Sequence, residues 1–229
     1  MEATGKFSWN RPITSYTKFH QVFNKLITPW ILNNKMFVSG KLTKGKEYLQ
    51  IGCGYNIYDD FINTDIEWKP NVIPWDISTI KRHNYPIGSA ALQGIYTEHC
   101  LEHIPFQSTK DNLQEFFRIL KPGGNVRIAV PDGELFIDLY NKHRAGEKVK
   151  IPCPDDRPEP TPMISINRIA RSHGHLFMYD FETFKHLLGE AGFTDVKKET
   201  FRNGRNPKLL VDSELREDES LYVEATKPA

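Results

Sequence analysis

The first 31 residues carry apolar side chains at helical spacing. Seven positions follow the pattern i, i+3, i+4, i+7, i+8, i+11 and i+12: Phe19, Val22, Phe23, Leu26, Ile27, Trp30 and Ile31. This stripe predicts an amphipathic helix that Pro29 kinks or divides. We interpret residues 1–45 as an N-terminal helical extension packed on the main domain. A substrate lid, a dimer face and a membrane-surface helix are the alternatives, although the lysines beside the stripe are too few to favour a membrane.

From Glu47 onward the pattern changes to short apolar runs separated by turn residues. Five runs predict strands, at residues 48–51, 61–65, 72–75, 94–97 and 126–130. A helix lies before the fifth strand, with Ser108 and Asp111 as a box-like start and residues 121–124 as its stop. Asp132 is expected to cap the helix that follows the fifth strand.

The last part of the chain predicts one more helix and a closing pair of strands. Asp180 and Gly192 are expected to cap that helix, and the strands are predicted at residues 196–201 and 221–225. The acidic stretch 212–219 between the strands is interpreted as a solvated loop or helix start. Residues 144–172 contain five prolines within eleven positions and predict a long irregular insertion, which would suit a substrate lid.

The alternation of strands and helices indicates the fold class. It favours an α/β domain over residues 46–229, with a largely parallel sheet covered on both faces as in a Rossmann-like three-layer sandwich. Only about nine residues separate the first two strands, which is short for a parallel crossover. The first helix is therefore expected to be reduced to about one turn.

Composition narrows the function classes. The 229 residues include 30 Lys and Arg against 29 Asp and Glu, so the near-neutral chain lacks the basic face of a dedicated duplex-DNA binder. No run approaches ~18 apolar residues, so no membrane span is predicted. The odd set Cys53, Cys100 and Cys153 has no Cys-x-x-Cys pair, which indicates free thiols and a reducing cytoplasm.

Chemically informative residues follow the first three predicted strands. Gly52, Cys53 and Gly54 come after the first, Asp65 after the second and Asp76 after the third. In open parallel sheets, ligands bind beyond the carboxyl ends of the strands. Each residue taken alone also fits a turn or a cap. The glycine turn, Asp65 and Asp76, each after a successive strand, together predict one ligand site at that edge.

Several short runs resemble a known family. They are residues 48–54 (YLQIGCG), 63–65 (NTD), 75–77 (WDI), 98–104 (EHCLEHI), 116–124 (FFRILKPGG) and 220–225 (SLYVEA). The chain resembles class I S-adenosylmethionine-dependent methyltransferases, and among them a small type-11-like subgroup, over about residues 47–229. The Leu-Lys-Pro-Gly-Gly helix end and the Leu-Glu-His turn are the most specific matches.

The resemblance implies a seven-stranded, mostly parallel sheet with an antiparallel last strand, and S-adenosylmethionine as the cofactor. It implies that the glycine turn passes under the methionine part, that Asp65 holds the ribose and that Asp76 faces the adenine. The full set implied to bind the cofactor is Gln50, Gly52, Cys53, Gly54, Asp65, Ile66, Asp76, Ile77 and Glu98. Two positions depart from the family pattern: Gln50 replaces an acid, and Asn56 replaces the third glycine.

Three histidines are candidates for accepting a proton from the acceptor: His99, His173 and His175. His103 lies four residues after His99, a spacing that also suits a metal. The order is Glu-His-x-x-Glu-His, however, with no downstream acidic ligand implied. The sequence therefore predicts no metal site.

The predicted function is cytoplasmic methyl transfer to an oxygen or nitrogen of a small-molecule, sugar or lipid-linked acceptor. No Asn-Pro-Pro-Tyr string follows the fourth strand, where the family's amino-methylating nucleic-acid enzymes carry it, so no nucleic-acid partner is expected. The alternatives are an NAD(P)-dependent oxidoreductase and a non-catalytic nucleotide-binding protein. The first alternative needs a third glycine where Ile57 stands, and Gln50 is the best support for the second. A homodimer through the N-terminal helix stays open.

Overall fold

Seven strands form one sheet in the computed structural model, which describes Leu26 and residues 44–67, 69–78, 85–150, 152 and 161–229. The strands are β1 Tyr48–Ile51, β2 Phe61–Asp65, β3 Ile73–Pro74, β4 Leu92–Glu98, β5 Leu120–Pro131, β6 Thr194–Glu199 and β7 Ser220–Thr226. Their order is β3-β2-β1-β4-β5-β7-β6. Strand β7 is antiparallel to both neighbours, and the pairs among β1 to β5 are parallel. The predicted fold class is confirmed.

Four α-helices lie in the described part of the chain outside Leu26. They are α1 Phe106–Ile119, α2 Gly133–Arg144, α3 Pro162–Arg171 and α4 Phe181–Ala191. The predicted caps of α2 and α4 are confirmed. Asp132 accepts hydrogen bonds from Glu134 N and Leu135 N, and Asp180 accepts one from Thr183 N. Gly192 ends α4 at φ +101°, a left-handed conformation that favours glycine.

The start predicted for α1 was wrong, whereas its end lies next to the predicted stop at residues 121–124. The helix begins after Pro105, so Ser108 lies inside it and its hydroxyl donates to the Ser78 carbonyl oxygen. The helix stops at Ile119, and β5 takes up the Lys-Pro-Gly-Gly run. Pairing of Leu120 with Leu92 on β4 accounts for this stop, because strand pairing outcompetes the local helical pattern.

The insertion predicted to be irregular contains α3. Thr161 caps this helix by accepting from Ile164 N, and Pro162 occupies the first turn, where its missing N–H costs nothing. Helix α3 packs against α2. Residue 151 and residues 153–160 lie outside the described residues, so the lid role of this insertion stays a prediction.

The apolar core lies on one face of the sheet. Alternate residues of the strands, among them Leu49, Ile95 and Val126, pack with Phe116 of α1 and Phe184 of α4. The opposite face carries a row of in-register polar residues: Gln50, Tyr96, Arg127 and Glu224. This second face is covered by the β6–β7 connector (residues 200–219), which contains two short 3₁₀ helices.

The first crossover is as short as predicted, but the single helical turn expected in it was wrong. Residues 52–60 between β1 and β2 form turns and contain no helical turn. Of residues 1–45 the structure describes Leu26, a helical residue that is 71% exposed, and the exposed turn residues Lys44 and Gly45. The packing, lid and dimer interpretations of residues 1–45 therefore stay predictions. No helix within the described ranges has the length and apolar character needed to cross a bilayer.

Candidate active site

The turn after β1 requires glycine at position 52. Gly52 has φ +69°, and a Cβ placed there would lie 2.8 Å from Cys100 Cβ. The missing side chain therefore lets the turn after β1 touch the turn after β4. Gly54 is also left-handed, at φ +54°, but the space around its Cα is open. This close approach brings the ends of the two central strands together.

Asp65 joins the end of β2 to this glycine turn. Its Oδ2 accepts the Gly54 N–H at 2.7 Å and its Oδ1 accepts the Glu67 N–H at 2.8 Å. A carboxylate has about four acceptor positions, so these two bonds leave capacity for a ligand diol. The structure thus places Asp65 beside Gly54 at the sheet edge, where the sequence predicted a site.

Gln50 carries an unsatisfied group next to the same turn. Its side chain is buried, and Oε1 has no hydrogen-bond partner among the described residues. A buried amide oxygen without a donor costs about 1–3 kcal/mol. A ligand ammonium or amide group bound at the turn would relieve that cost, which makes Gln50 compatible with the methionine end of the cofactor.

The residues after β3 already make contacts within the fold. Asp76 Oδ1 accepts from Ser78 N at 2.9 Å and from Ser78 Oγ at 2.6 Å, the turn role that the sequence left as an alternative. Ile77 is buried in the apolar core, and its carbonyl oxygen accepts from Asn112 Nδ2. Ile66, directly after β2, is half-buried.

The β6–β7 connector reaches the strand ends, which the sequence did not indicate. Ser213 N donates to Glu98 Oε1 at 2.9 Å, and Asn56 Nδ2 donates to Ser213 Oγ at 3.1 Å. Ser213 therefore bridges the end of β4 and the turn after β1. The acidic stretch is thus not simply solvated, since it places one residue against two of the predicted binding segments.

A buried ion-pair network anchors this connector. Arg127 on β5 is fully buried and donates from Nε to Asp212 Oδ1 and from Nη1 to Glu224 Oε1, both at 2.8 Å. It also donates to the carbonyl oxygens of Thr200 and Asn203. In the sequence, this network is indicated only by an arginine inside the most apolar predicted strand, because such a charge is rarely buried unless it is paired.

Cys53 is unsuited to nucleophilic chemistry. The residue is buried, and burial with the nearby Asp65 charge raises the pKa of its thiol to about 12. The thiolate, which is the reactive form, is therefore scarce at neutral pH. Cys53 therefore stays a predicted cofactor-binding residue and is not a candidate nucleophile.

The three predicted proton acceptors occupy different environments. His173 is exposed and has φ +59°, whereas His175 is buried with Nδ1 2.5 Å from the Ile169 carbonyl oxygen. His99 has Nε2 2.7 Å from Ser220 Oγ, and burial lowers its pKa well below the usual value. Burial also lowers the pKa of His103 to about 4. At neutral pH the rings of His99 and His103 are therefore uncharged.

Glu102 lies among these rings, and the sequence placed it in the Leu-Glu-His turn without assigning it a chemical role. His99 Nδ1, His103 Nε2 and His175 Nε2 lie 3.5, 3.8 and 3.9 Å from Glu102 Oε1. Burial raises the pKa of the Glu102 carboxyl to about 8. The structure thus brings one carboxyl and three imidazoles together after the end of β4, and His173 nearby in the sequence is exposed.

Sequence comparison identifies the family. A family model described as a methyltransferase domain matches residues 20–198, which is most of the chain. The chain belongs to this methyltransferase family, and the predicted resemblance to class I S-adenosylmethionine-dependent enzymes is confirmed. A search of curated proteins found no match.

Three solved structures are similar in fold. A SAM-dependent methyltransferase from Archaeoglobus fulgidus has 18% identity and a TM-score of 0.49, with 91% of this chain and 98% of that chain covered. A Mesorhizobium loti S-adenosylmethionine-dependent methyltransferase has 13% identity and a TM-score of 0.46, with 80% of this chain and 91% of that chain covered. Haemonchus contortus phosphoethanolamine N-methyltransferase 2, in complex with S-adenosyl-L-methionine, has 13% identity and a TM-score of 0.48. It covers 94% of this chain, and 61% of that chain is covered. At these scores the likenesses do not bear on the acceptor.

Proposed function

We propose that this chain transfers a methyl group from S-adenosylmethionine to an oxygen or nitrogen of a small-molecule, sugar or lipid-linked acceptor. The observation that carries the proposal is the set of groups at one sheet edge: the left-handed Gly52 turn, the Asp65 carboxylate bonded to it, and the unsatisfied Gln50 Oε1. Glycine backbone, carboxylate and neutral amide suit a zwitterionic nucleoside ligand.

The residues present fit this cofactor. Gly52 and Gly54 would bind its methionine part with Gln50 and Glu98, Cys53 would lie beneath it, and Asp65 would hold the ribose hydroxyls. Ile66, Asp76 and Ile77 complete the set near the adenine, although Asp76 already serves its own turn through Ser78. When bound, the cofactor supplies an activated methyl carbon, so the chain's own task is to orient the acceptor and exclude water.

An acceptor hydroxyl would need a proton acceptor. We assign this role to His173, because it is the exposed member of the three predicted histidines and so can be reached from solvent. His99 and His175 face the buried Glu102 carboxyl instead. The near-neutral charge of the chain supports an acceptor other than a nucleic acid. Cys53 and Cys100 are free thiols, which supports a reducing cytoplasm as the place of action.

Removal of the Asp65 carboxylate tests the cofactor assignment. Asp65→Ala should weaken S-adenosylhomocysteine binding about 10- to 100-fold in calorimetry, because a hydrogen bond to a charged group contributes about 1.5–3 kcal/mol. Asp65→Asn keeps an oxygen that can accept from the Gly54 N–H. This second variant therefore shows whether a loss in Asp65→Ala comes only from a disrupted turn. Asp60→Ala, which removes a more exposed acid from the same crossover, is the control. Unchanged affinity in both Asp65 variants would remove the ribose assignment.

A further inference from the structure

The Glu102 carboxyl is buried without a hydrogen bond. The residue is 1% exposed, and neither of its side-chain oxygens has a partner among the described residues. Buried carboxylates are normally paired, hydrogen-bonded or bound to a metal, because an isolated buried charge is very costly. The histidine nitrogens around Oε1 are 3.5–3.9 Å away, which is beyond hydrogen-bond length but close to the separation of two ligands of one ion.

The fold holds these groups in place through the backbone. Glu102 and His103 are adjacent in a 3₁₀ turn at Leu101–His103. Leu176 N and Phe177 N both donate to the Glu102 carbonyl oxygen, at 2.7 and 3.3 Å, so the segment that carries His175 is fastened to the same turn. The cluster therefore joins two parts of the chain that are distant in sequence.

His175 has the hydrogen bonding of a metal-ligating histidine. Its Nδ1 lies 2.5 Å from the Ile169 carbonyl oxygen, which can only accept, so Nδ1 carries the proton. Nε2 is then the unprotonated nitrogen, and it is the atom that faces Glu102 Oε1. A backbone carbonyl that fixes the tautomer and ring orientation in this way is typical of histidines that bind metals.

We propose that Glu102 Oε1, His103 Nε2 and His175 Nε2 bind one divalent transition-metal ion, with zinc preferred. One ligand atom from each of these residues can be chosen so that all lie within 4.8 Å of one another. Two imidazoles and one carboxylate are a known zinc ligand set that leaves a coordination position open. Ligands about 2.0–2.2 Å from zinc are about 3.3 Å apart, so binding needs side-chain shifts of less than about 1 Å.

The open position would face solvent on the His103 side, where the side chain is 34% exposed, compared with 2% for Glu102. His99 Nδ1 also lies 3.5 Å from this carboxylate oxygen, but His99 is not part of the group whose ligand atoms all lie within 4.8 Å of one another, so we place it outside the ligand set. The inference differs from the sequence prediction of no metal, which looked for an acid downstream of the histidines. Here Glu102 itself is the acid, and His175 supplies the second imidazole from 72 residues after His103. It is independent of the proposed acceptor chemistry.

Metal titration of the full chain tests this site. Chelator-treated protein should bind one equivalent of Zn²⁺ in equilibrium dialysis with elemental analysis, and Co²⁺ should give visible d–d bands that Zn²⁺ displaces. Glu102→Gln and His175→Ala should each lower the affinity at least about 100-fold. The control is His186→Ala, which removes an exposed imidazole 3.4 Å from the Glu190 carboxylate and should leave the stoichiometry at one.

Glu102→Gln is nearly isosteric, and a circular dichroism spectrum matching that of the parent verifies its fold. Should His175→Ala fail to fold, His103→Ala removes the more exposed ligand and should show the same loss. Binding below one equivalent in the parent would overturn the proposal. So would equal affinity in the parent and the Glu102→Gln and His103→Ala variants, because the ion would then bind elsewhere.

Discussion

Gly52 and Gly54 lie in one turn but are required for different reasons. Both have positive φ, so any other residue would pay for a left-handed backbone at either position. Only Gly52 faces a neighbour, since an added Cβ would lie 2.8 Å from Cys100 Cβ, whereas nothing lies within 4 Å of one added at Gly54. Gly52 is thus needed for both conformation and space, and Gly54 for conformation alone.

Alanine substitution separates these two contributions. Gly54→Ala should lower the unfolding free energy by about 1–2 kcal/mol, because alanine is strained in a left-handed conformation. Gly52→Ala should cost a further 1–3 kcal/mol or so, because the methyl group overpacks the contact with Cys100. Urea denaturation of both variants measures the difference. Equal costs would show that the two turns are not in tight contact.

At the scale of elements, the β6–β7 connector depends on a charge buried in β5. Arg127 pairs with Asp212 in the connector and Glu224 in β7, and its guanidinium also binds two connector carbonyl oxygens. Such a network is not a large net gain compared with an apolar core, but breaking it leaves charges buried alone. The connector in turn presents Ser213 to Glu98 and Asn56.

Replacement of Arg127 should therefore weaken the packing of the connector on the sheet. Arg127→Met leaves Asp212 and Glu224 buried without a counter-charge, so we expect a loss of about 3–5 kcal/mol in urea denaturation. Limited proteolysis should also cut within residues 200–213 faster than in the parent. Lys208→Met, which breaks an exposed pair with Asp60, should leave the unfolding midpoint almost unchanged. A loss below about 1 kcal/mol for Arg127→Met would contradict the anchoring role.

For the whole molecule, the fold and family set the class of cofactor. The sheet order and the family match over residues 20–198 are those of methyltransferases. A nicotinamide enzyme would need a longer first crossover and a third glycine, whereas residues 52–60 form turns only and Ile57 occupies that position. The molecule as a whole should therefore be stabilised by one nucleoside ligand and not by the other.

Thermal unfolding distinguishes the two ligand classes. S-adenosylhomocysteine at 100 times its dissociation constant should stabilise the native chain by about 2.7 kcal/mol, which is about 5–10 °C in melting temperature for a protein of this size. NAD at the same concentration should give no shift. A shift with NAD alone would favour the oxidoreductase, and a shift with S-adenosylhomocysteine but no turnover of any acceptor would favour a non-catalytic binding protein.

Local features of the sequence were sufficient for much of the fold. The strands and the caps at Asp132, Asp180 and Gly192 follow from side-chain periodicity and from residues that satisfy free backbone groups within a few positions. The sequence also placed Gly52 and Asp65 at neighbouring strand ends, because parallel strands end at one edge. The start of α1 was not found, since this helix begins after Pro105 without a side-chain cap, and α3 was not found because its context is rich in proline.

Only the tertiary structure decided which distant residues meet. Arg127 pairs with Asp212, which lies 85 residues later, because β7 lies between β5 and β6 in the sheet. Glu102 lies against His175 because the segment before α4 is hydrogen-bonded to the 3₁₀ turn after β4. Periodicity records whether a position is buried, but it does not name the partner that compensates a buried charge. The meeting of Gly54 and Asp65 at one edge could therefore be predicted from the sequence, while the anchored connector and the Glu102 cluster required the assembled sheet.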